Sequence, residues 1–176
     1  MSTLIQTNIR PDLIPVLFEF FEGEEYTIGD KRVKGVKIDL KSSLGRYIRS
    51  MCAKAERPDT KRFFNMVFEV QDLANNKYKG SVYQYIDGKN HFLKLPEEFV
   101  DDLNHMLEDI FRMSLNSYLR GYEKNGRIKQ GIRNYMCDFD LEEHGHTLES
   151  IERMYMRFKK SKTKLSRFQN RWTSGA

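Results

Sequence analysis

After Glu152 the chain contains no acid, and it carries Arg153, Arg157, Lys159, Lys160, Lys162, Lys164, Arg167 and Arg171. The chemistry open to such a run is neutralisation of phosphate, because each cation that meets a phosphate releases condensed counterions. The rings between them, Tyr155, Phe158, Phe168 and Trp172, can pack inward or stack on bases. On a helix, Arg153, Arg157, Lys160 and Lys164 fall along one face. A solvated face or a solubilising tail has the same composition, and so has a surface for an acidic protein or for the acidic helix of the chain itself.

Three other constellations contain residue types that do chemistry. Cys137, Asp140, His144 and His146 are zinc-ligand types close in sequence, but their spacing fits no structural zinc motif, and a polar loop with partly exposed histidines is expected instead. Asp30 with Asp39-Leu40-Lys41 has the acid, acid-x-lysine order in which carboxylates hold Mg²⁺ and a lysine steadies the attacking water of a nuclease. Asp39 reads more simply as the end of a strand, with Lys41 in the turn before a helix cap. Phe64, Phe68, Tyr78, Tyr83 and Tyr85 lie on strand-like stretches without the Gly/aromatic signature of an RNA-stacking sheet, so packing is the expected role. There is no Gly-rich phosphate loop, Gly-x-Ser-x-Gly elbow or His-Glu-x-x-His pair. The expectation is therefore a non-enzymatic protein with no cofactor and no metal.

These residues must be positioned by a folded chain. Its 176 residues suit one compact domain or a small domain with a helical arm, and the hydrophobic fraction of 39% with 12 Phe and 9 Tyr is too aromatic for disorder. The formal net charge of +5 hides a segregation: Glu97, Glu98, Asp101, Asp102, Glu108 and Asp109 lie in a stretch without Lys or Arg, opposite in sign to the C-terminal run. Cys52 and Cys137 are too few for a disulfide framework, so reduced thiols and a cytoplasmic location are expected. The opening stretch is interrupted by Arg10, Pro11, Asp12 and Pro15 and lacks the pattern of a signal peptide. No apolar run is long enough to cross a bilayer, so no membrane partner is expected.

The expected architecture is α+β, with a short antiparallel β-meander packed against helices and then a trihelical, helix-turn-helix-like segment with a basic tail. Residues 1–95 form the α+β portion and 96–176 the helical portion, together one compact unit. The first 30 residues read as an extended arm or short helix, with turns at Glu22-Gly23-Glu24-Glu25 and Ile28-Gly29-Asp30, and Val33 to Ile38 as a short strand. Ser42 or Ser43 caps a helix that carries Leu44, Tyr47, Ile48, Met51 and Cys52 on one face and ends at Ala55-Glu56-Arg57-Pro58-Asp59. Phe64, Met66, Phe68 and Val70 alternate with Asn65, Val67, Glu69 and Gln71 on the other face, Val82 to Ile86 make the partner strand, Asp87-Gly88 turns, and His91 to Leu95 make a third strand.

Pro96 and the acids after it open a central helix with two apolar stripes, Phe99, Leu103, Met106, Ile110 and Met113, and Leu107, Phe111, Leu115, Tyr118 and Tyr122, so it is expected to be covered on two sides. Glu123-Lys124-Asn125-Gly126 closes it. A helix from Ile128 to about Asp138 follows, with Ile128, Ile132, Tyr135 and Met136 inward. Thr147 caps a last one, with Leu148, Ile151, Met154, Tyr155 and Phe158 inward. As a helix-turn-helix, this pair would present Thr147, Glu149, Ser150 and Arg153 to base edges, although the connection from Phe139 to His146 is long and Glu149 and Glu152 repel phosphate.

Residues 128–160, IKQGIRNYMCDFDLEEHGHTLESIERMYMRFKK, resemble the ends of small uncharacterised proteins of phages and mobile elements of gut bacteria, which share a short helix, an acidic loop and a helix finishing in Tyr/Phe with Arg/Lys. A fainter likeness runs through Leu40 to Ile48. The resemblance implies an origin in a phage or mobile element and a role in DNA transactions or in the virion. Taken with the basic run, the expected function is DNA or RNA binding as an accessory or regulatory factor. The alternative is a virion assembly or adaptor protein whose acidic helix and basic tail join neighbouring copies.

Overall fold

In the computed structural model, which describes residues 2–55, 63–71 and 92–160, the chain opens with strand β1 (Ser2–Thr7). A 3-10 turn, Pro11–Leu13, leads into helix α1 (Ile14–Phe20). Strands β2 (Gly23–Ile28) and β3 (Lys31–Ile38), helix α2 (Ser43–Met51) and strands β4 (Ala53–Ala55), β5 (Met66–Gln71) and β6 (Phe92–Lys94) follow. Helices α3 (Glu97–Glu123), α4 (Ile128–Asp138) and α5 (Leu148–Lys160) complete the described chain. The fold is α+β. Among the described residues, no helix is long and apolar enough to cross a membrane. Arg10–Val16 and the chain from Asn104 onward belong to one compact unit, and the remaining described residues to another.

The first unit is built on β5. Its Met66, Val67 and Phe68 are fully buried and Val70 nearly so, the near-continuous apolar run of a strand covered on both faces. The described sheet has the order β1-β5-β3-β2. β1 pairs antiparallel with β5, bringing Ile5 opposite Phe68, while β3 pairs parallel with β5, bringing Val36 opposite Phe68. Parallel neighbours need a crossover, and the chain between β3 and β5 contains α2. The expected antiparallel meander is thus replaced, among the described residues, by a mixed sheet. Its proposed middle strand, Val82 to Ile86, and the Asp87-Gly88 turn lie outside the described residues. The expected third strand does form as β6, and it pairs antiparallel with β4, Ala55 opposite Phe92.

Local chemistry explains several departures in this unit. The helix expected to run past Cys52 stops at Met51, because Cys52 is extended (φ −70°, ψ 132°) and leads straight into β4. Ser42 caps α2 by accepting from the Gly45 N–H at 2.8 Å, as the sequence suggests. The stretch Glu22-Gly23-Glu24-Glu25 does not turn but enters β2, an exposed edge strand that needs no apolar face; only Gly29 (φ 60°) and Asp30 turn. Opposite that edge, a Cβ on Gly35 would sit 2.5 Å from the ring of Tyr26, whose hydroxyl donates to Glu69 at 2.9 Å. Glycine is therefore what lets the tyrosine lie flat across the neighbouring strand.

The second unit is helical. α3 buries Leu107, Phe111, Leu115 and Leu119 there, α4 buries Ile132, Tyr135 and Met136, and α5 buries Ile151 and Tyr155, with Leu13, Ile14 and Val16 from the N-terminal segment. Of the two expected stripes on α3, the second is buried at Leu107, Phe111 and Leu115 and half-buried at Tyr118 and Tyr122. In the first, Leu103 is fully buried, Phe99, Met106 and Ile110 are half-buried and Met113 is 47% exposed, so among the described residues the second covering is partial. A stripe that is apolar by composition is buried only if a partner is supplied.

Candidate nucleic-acid interface

Helix α5 owes its start to a reciprocal cap. The Ser150 N–H donates to Thr147 Oγ1 at 3.1 Å and the Thr147 N–H donates to Ser150 Oγ at 3.0 Å, a capping box with Ser in the place of Glu. Thr147 and Ser150 are thereby engaged in holding the helix, and only Glu149 and Arg153 of the residues expected to meet base edges are exposed and without a hydrogen bond of this kind. The connection 139–147 contains a residue at positive φ, Asp140 (48°), and another, Gly145 (88°).

The C-terminal turns of α5 are tied to the end of α3 through one carboxylate. Glu123 accepts a hydrogen bond from Tyr155 Oη at 2.8 Å on one oxygen and pairs with Lys159 through the other. The lysine, then the tyrosine, hold the Glu123 carboxyl below its usual range. Burial, reinforced by Glu123, pushes the Tyr155 hydroxyl up to about 12. Arg120 lies over the Phe158 ring at 5.3 Å, a second tie between the same two helices.

This geometry sorts the sequence-derived cations. Arg153, Arg157 and Lys160 are exposed on α5 and make no ion pair among the described residues, whereas Lys159 is engaged by Glu123. Lys162, Lys164, Arg167 and Arg171 lie outside the described residues, as do Phe168 and Trp172. What sequence reading missed is the contribution of α4. Arg127 precedes that helix with no side-chain cap, no acid stands in its first turn, and Arg127, Lys129 and Arg133 are exposed. They escaped notice because they are scattered singly among apolar and amide residues instead of forming a run. An open groove of about 760 Å³ runs between the start of α4 and α5.

The other constellations do not assemble. Asp30 and Asp39 stand at opposite ends of β3, nine residue steps apart at about 3.3 Å each, or roughly 30 Å, so they cannot share a metal. Asp39 instead accepts the Lys41 N–H at 2.8 Å, the turn role anticipated for it. No cluster of His, Cys, Asp or Glu that could hold a metal occurs among the described residues. Cys137 is exposed, while His146 is 9% exposed and not the partly exposed histidine expected. It stacks on Phe111 with ring centroids 5.2 Å apart, and its Nε2 lies 3.3 Å from the Asp12 carbonyl oxygen. Phe68 is core, and Phe64 is half-buried under Lys31; Tyr78, Tyr83 and Tyr85 lie outside the described residues.

The acidic stretch is also not a free surface throughout. Arg10 donates to both Asp12 oxygens, at 2.7 and 3.3 Å, and to Glu108 Oε2 at 2.9 Å, and Arg112 pairs with the other Glu108 oxygen. Burial pushes the Asp12 carboxyl up, and Arg10 more than reverses this, leaving it below the usual range. Glu108 and Asp109 are buried, so of the six acids only Glu97, Glu98, Asp101 and Asp102 are exposed. Compared with protein-family models, with curated proteins and with solved structures, the chain matches none.

Proposed function

We propose that the helical unit binds nucleic acid through its phosphate backbone, using Arg153, Arg157 and Lys160 of α5 with Arg127 and Lys129 at the start of α4. The observation that carries this reading is the set of three exposed α5 cations, unpaired among the described residues, on a helix that Glu123 and the Thr147–Ser150 cap hold in place. Anchoring matters because a pre-ordered row of cations loses less side-chain and backbone freedom on binding than a free tail does. Lys162, Lys164, Arg167 and Arg171 extend the same charge beyond the described helix. The resemblance of residues 128–160 to proteins of phages and mobile elements supports such an origin, and on this reading the protein acts in the cytoplasm as an accessory or regulatory factor with no catalytic step of its own. Self-assembly through acidic helix and basic tail is the weaker reading, since Glu108 and Asp109 are spent inside the fold.

The test is fluorescence anisotropy with labelled duplex and single-stranded DNA across a salt series, comparing the wild type with the triple variant R153Q/R157Q/K160Q. Each lost phosphate contact lowers the slope of log affinity against log salt by about 0.9 on duplex or about 0.7 on single strands, so a drop of roughly 2 to 3 is expected. An unchanged slope overturns the assignment.

A further inference from the structure

The groove between α4 and α5 mixes chemistry that a plain phosphate track does not need. Arg127 and Lys129 line it from the start of α4, and Glu152 and Met156 line it from α5. The Glu152 carboxylate shares the groove with two cations, yet it pairs with neither and has no hydrogen bond among the described residues. Met156 is 39% exposed and Ile128 is half-buried, which gives the groove an apolar floor. Gln130 donates its side-chain amide to Asn134 Oδ1 at 2.7 Å, leaving its own carbonyl oxygen open. About 760 Å³ is room for a nucleoside with its phosphate and is within the range of small-ligand sites.

A ligand that satisfies all of these together carries negative charge, a flat apolar ring and an N–H edge. We infer that the groove takes one unpaired base of a single nucleic-acid strand, and that Glu152 selects guanine. An ionised carboxylate only accepts hydrogen bonds. The Watson–Crick edge of guanine offers two adjacent donors, N1–H and N2–H, that match two carboxylate oxygens. Adenine and cytosine offer a single amino group there, and thymine or uracil a single N–H between two carbonyls that repel the carboxylate. That edge is free only when the base is unpaired, which makes the strand single at this position. Met156 and Ile128 supply the polarisable apolar surface against which the ring lies, while Arg127 and Lys129 neutralise the flanking phosphates. This inference rests on the nucleic-acid reading above and adds to it a strand type and a base.

The experiment measures anisotropy of labelled thymine tracts of equal length with and without a central guanine pair, so that the phosphate contribution is the same for both. Wild-type protein binds the guanine-containing tract on the order of tenfold tighter, the discrimination of one bidentate contact. E152Q removes the preference and leaves the plain thymine tract bound no more weakly, since it takes away a charge that repels phosphate, and R127Q/K129Q weakens both tracts alike. Inosine in place of guanine, which lacks the N2 amino group, loses most of the gain. Equal binding of the two tracts by wild type, or a preference retained by E152Q, overturns the inference and leaves backbone binding standing. Competition by guanosine monophosphate at matching concentration overturns the strand in favour of a free nucleotide. No binding of either tract at low salt removes this inference and the nucleic-acid reading together.

Discussion

Replacing Gly131 by Ala should destabilise the helical unit even though alanine is the better helix former. A Cβ built at Gly131 falls 2.7 Å from Tyr122 Cγ and 2.9 Å from Tyr122 Cβ. Ordinary carbon contacts lie at about 3.5–4.0 Å, and these are atoms at the root of the side chain, which cannot swing away as a ring tip can. A change of Tyr122 rotamer moves Cγ but leaves Cβ in place, so α3 and α4 must also separate. The rotamer change gives up the stack on Tyr118 at 5.2 Å and the hydrogen bond Tyr122 accepts from Asn134 Nδ2 at 3.0 Å. Overpacking costs about 1–3 kcal/mol and the lost stack about 0.5–1.5 kcal/mol, while the helix-propensity gain returns about 1 kcal/mol. The net is a loss of about 0.5–3.5 kcal/mol, or a melting temperature lower by about 4–8 °C at the middle of that range. Gly121 is the internal control: it lies in α3 with nothing within 4 Å of its missing Cβ, so G121A collects the propensity gain without the clash. Thermal denaturation followed by circular dichroism on both variants should move the midpoint down for G131A and up for G121A. Midpoints that move in the same direction, or a G131A protein as stable as wild type, would refute the packing argument.

Further outcomes follow from charge and burial. The Asp12 carboxyl is held below its usual range in the fold, so its share of stability is complete above the unfolded value and is lost as pH falls through the folded one; the urea midpoint should therefore fall below about pH 4 more steeply in wild type than in D12N. Parallel pH profiles for the two proteins would remove Asp12 from the account. Burial pushes the Cys52 thiol up to about 11, whereas Cys137 is exposed, so titration of the native protein with a thiol reagent at mildly alkaline pH should show one fast and one slow cysteine. C137S should abolish the fast phase, and its survival in that variant would contradict the placement of the two thiols.

What could be read from the chain was what is local. The period of Ile132, Tyr135 and Met136, the Thr147 cap and the turn at Gly126 fix α4 and α5 within a few residues of one another, and all three appear as expected. The sheet was harder. Val67 stood among the outward positions of an alternating strand, yet it is fully buried, and its burial marks β5 as an interior strand with a parallel neighbour, Gly35 of β3, 32 residues upstream in register with it. Ladder partners depend on where other strands arrive, which alternation within one strand does not encode. Charge pairing was invisible for the same reason. Glu108 looked like part of an exposed acidic stripe because its partner, Arg10, is 98 residues away. The cations of α5 were legible as a run, but the division between Lys159, held by Glu123, and Arg153, Arg157 and Lys160 depends on where α3 ends.

Because Arg10–Val16 belongs to the unit whose remainder starts at Asn104, the polypeptide cannot complete that unit in the order in which it is made. Asp12 leaves the ribosome 134 residues ahead of His146, whose ring meets its carbonyl. At roughly 5–20 residues per second that interval is on the order of ten seconds, during which the apolar Leu13, Ile14 and Val16 have been synthesised and their helical partners have not. Nascent chains of this protein therefore present a short apolar segment early, of the kind a chaperone would be expected to shelter. Cutting the gene into two separately expressed halves would likewise strand Arg10–Val16 on the wrong fragment, which makes the two units inseparable as exchangeable modules.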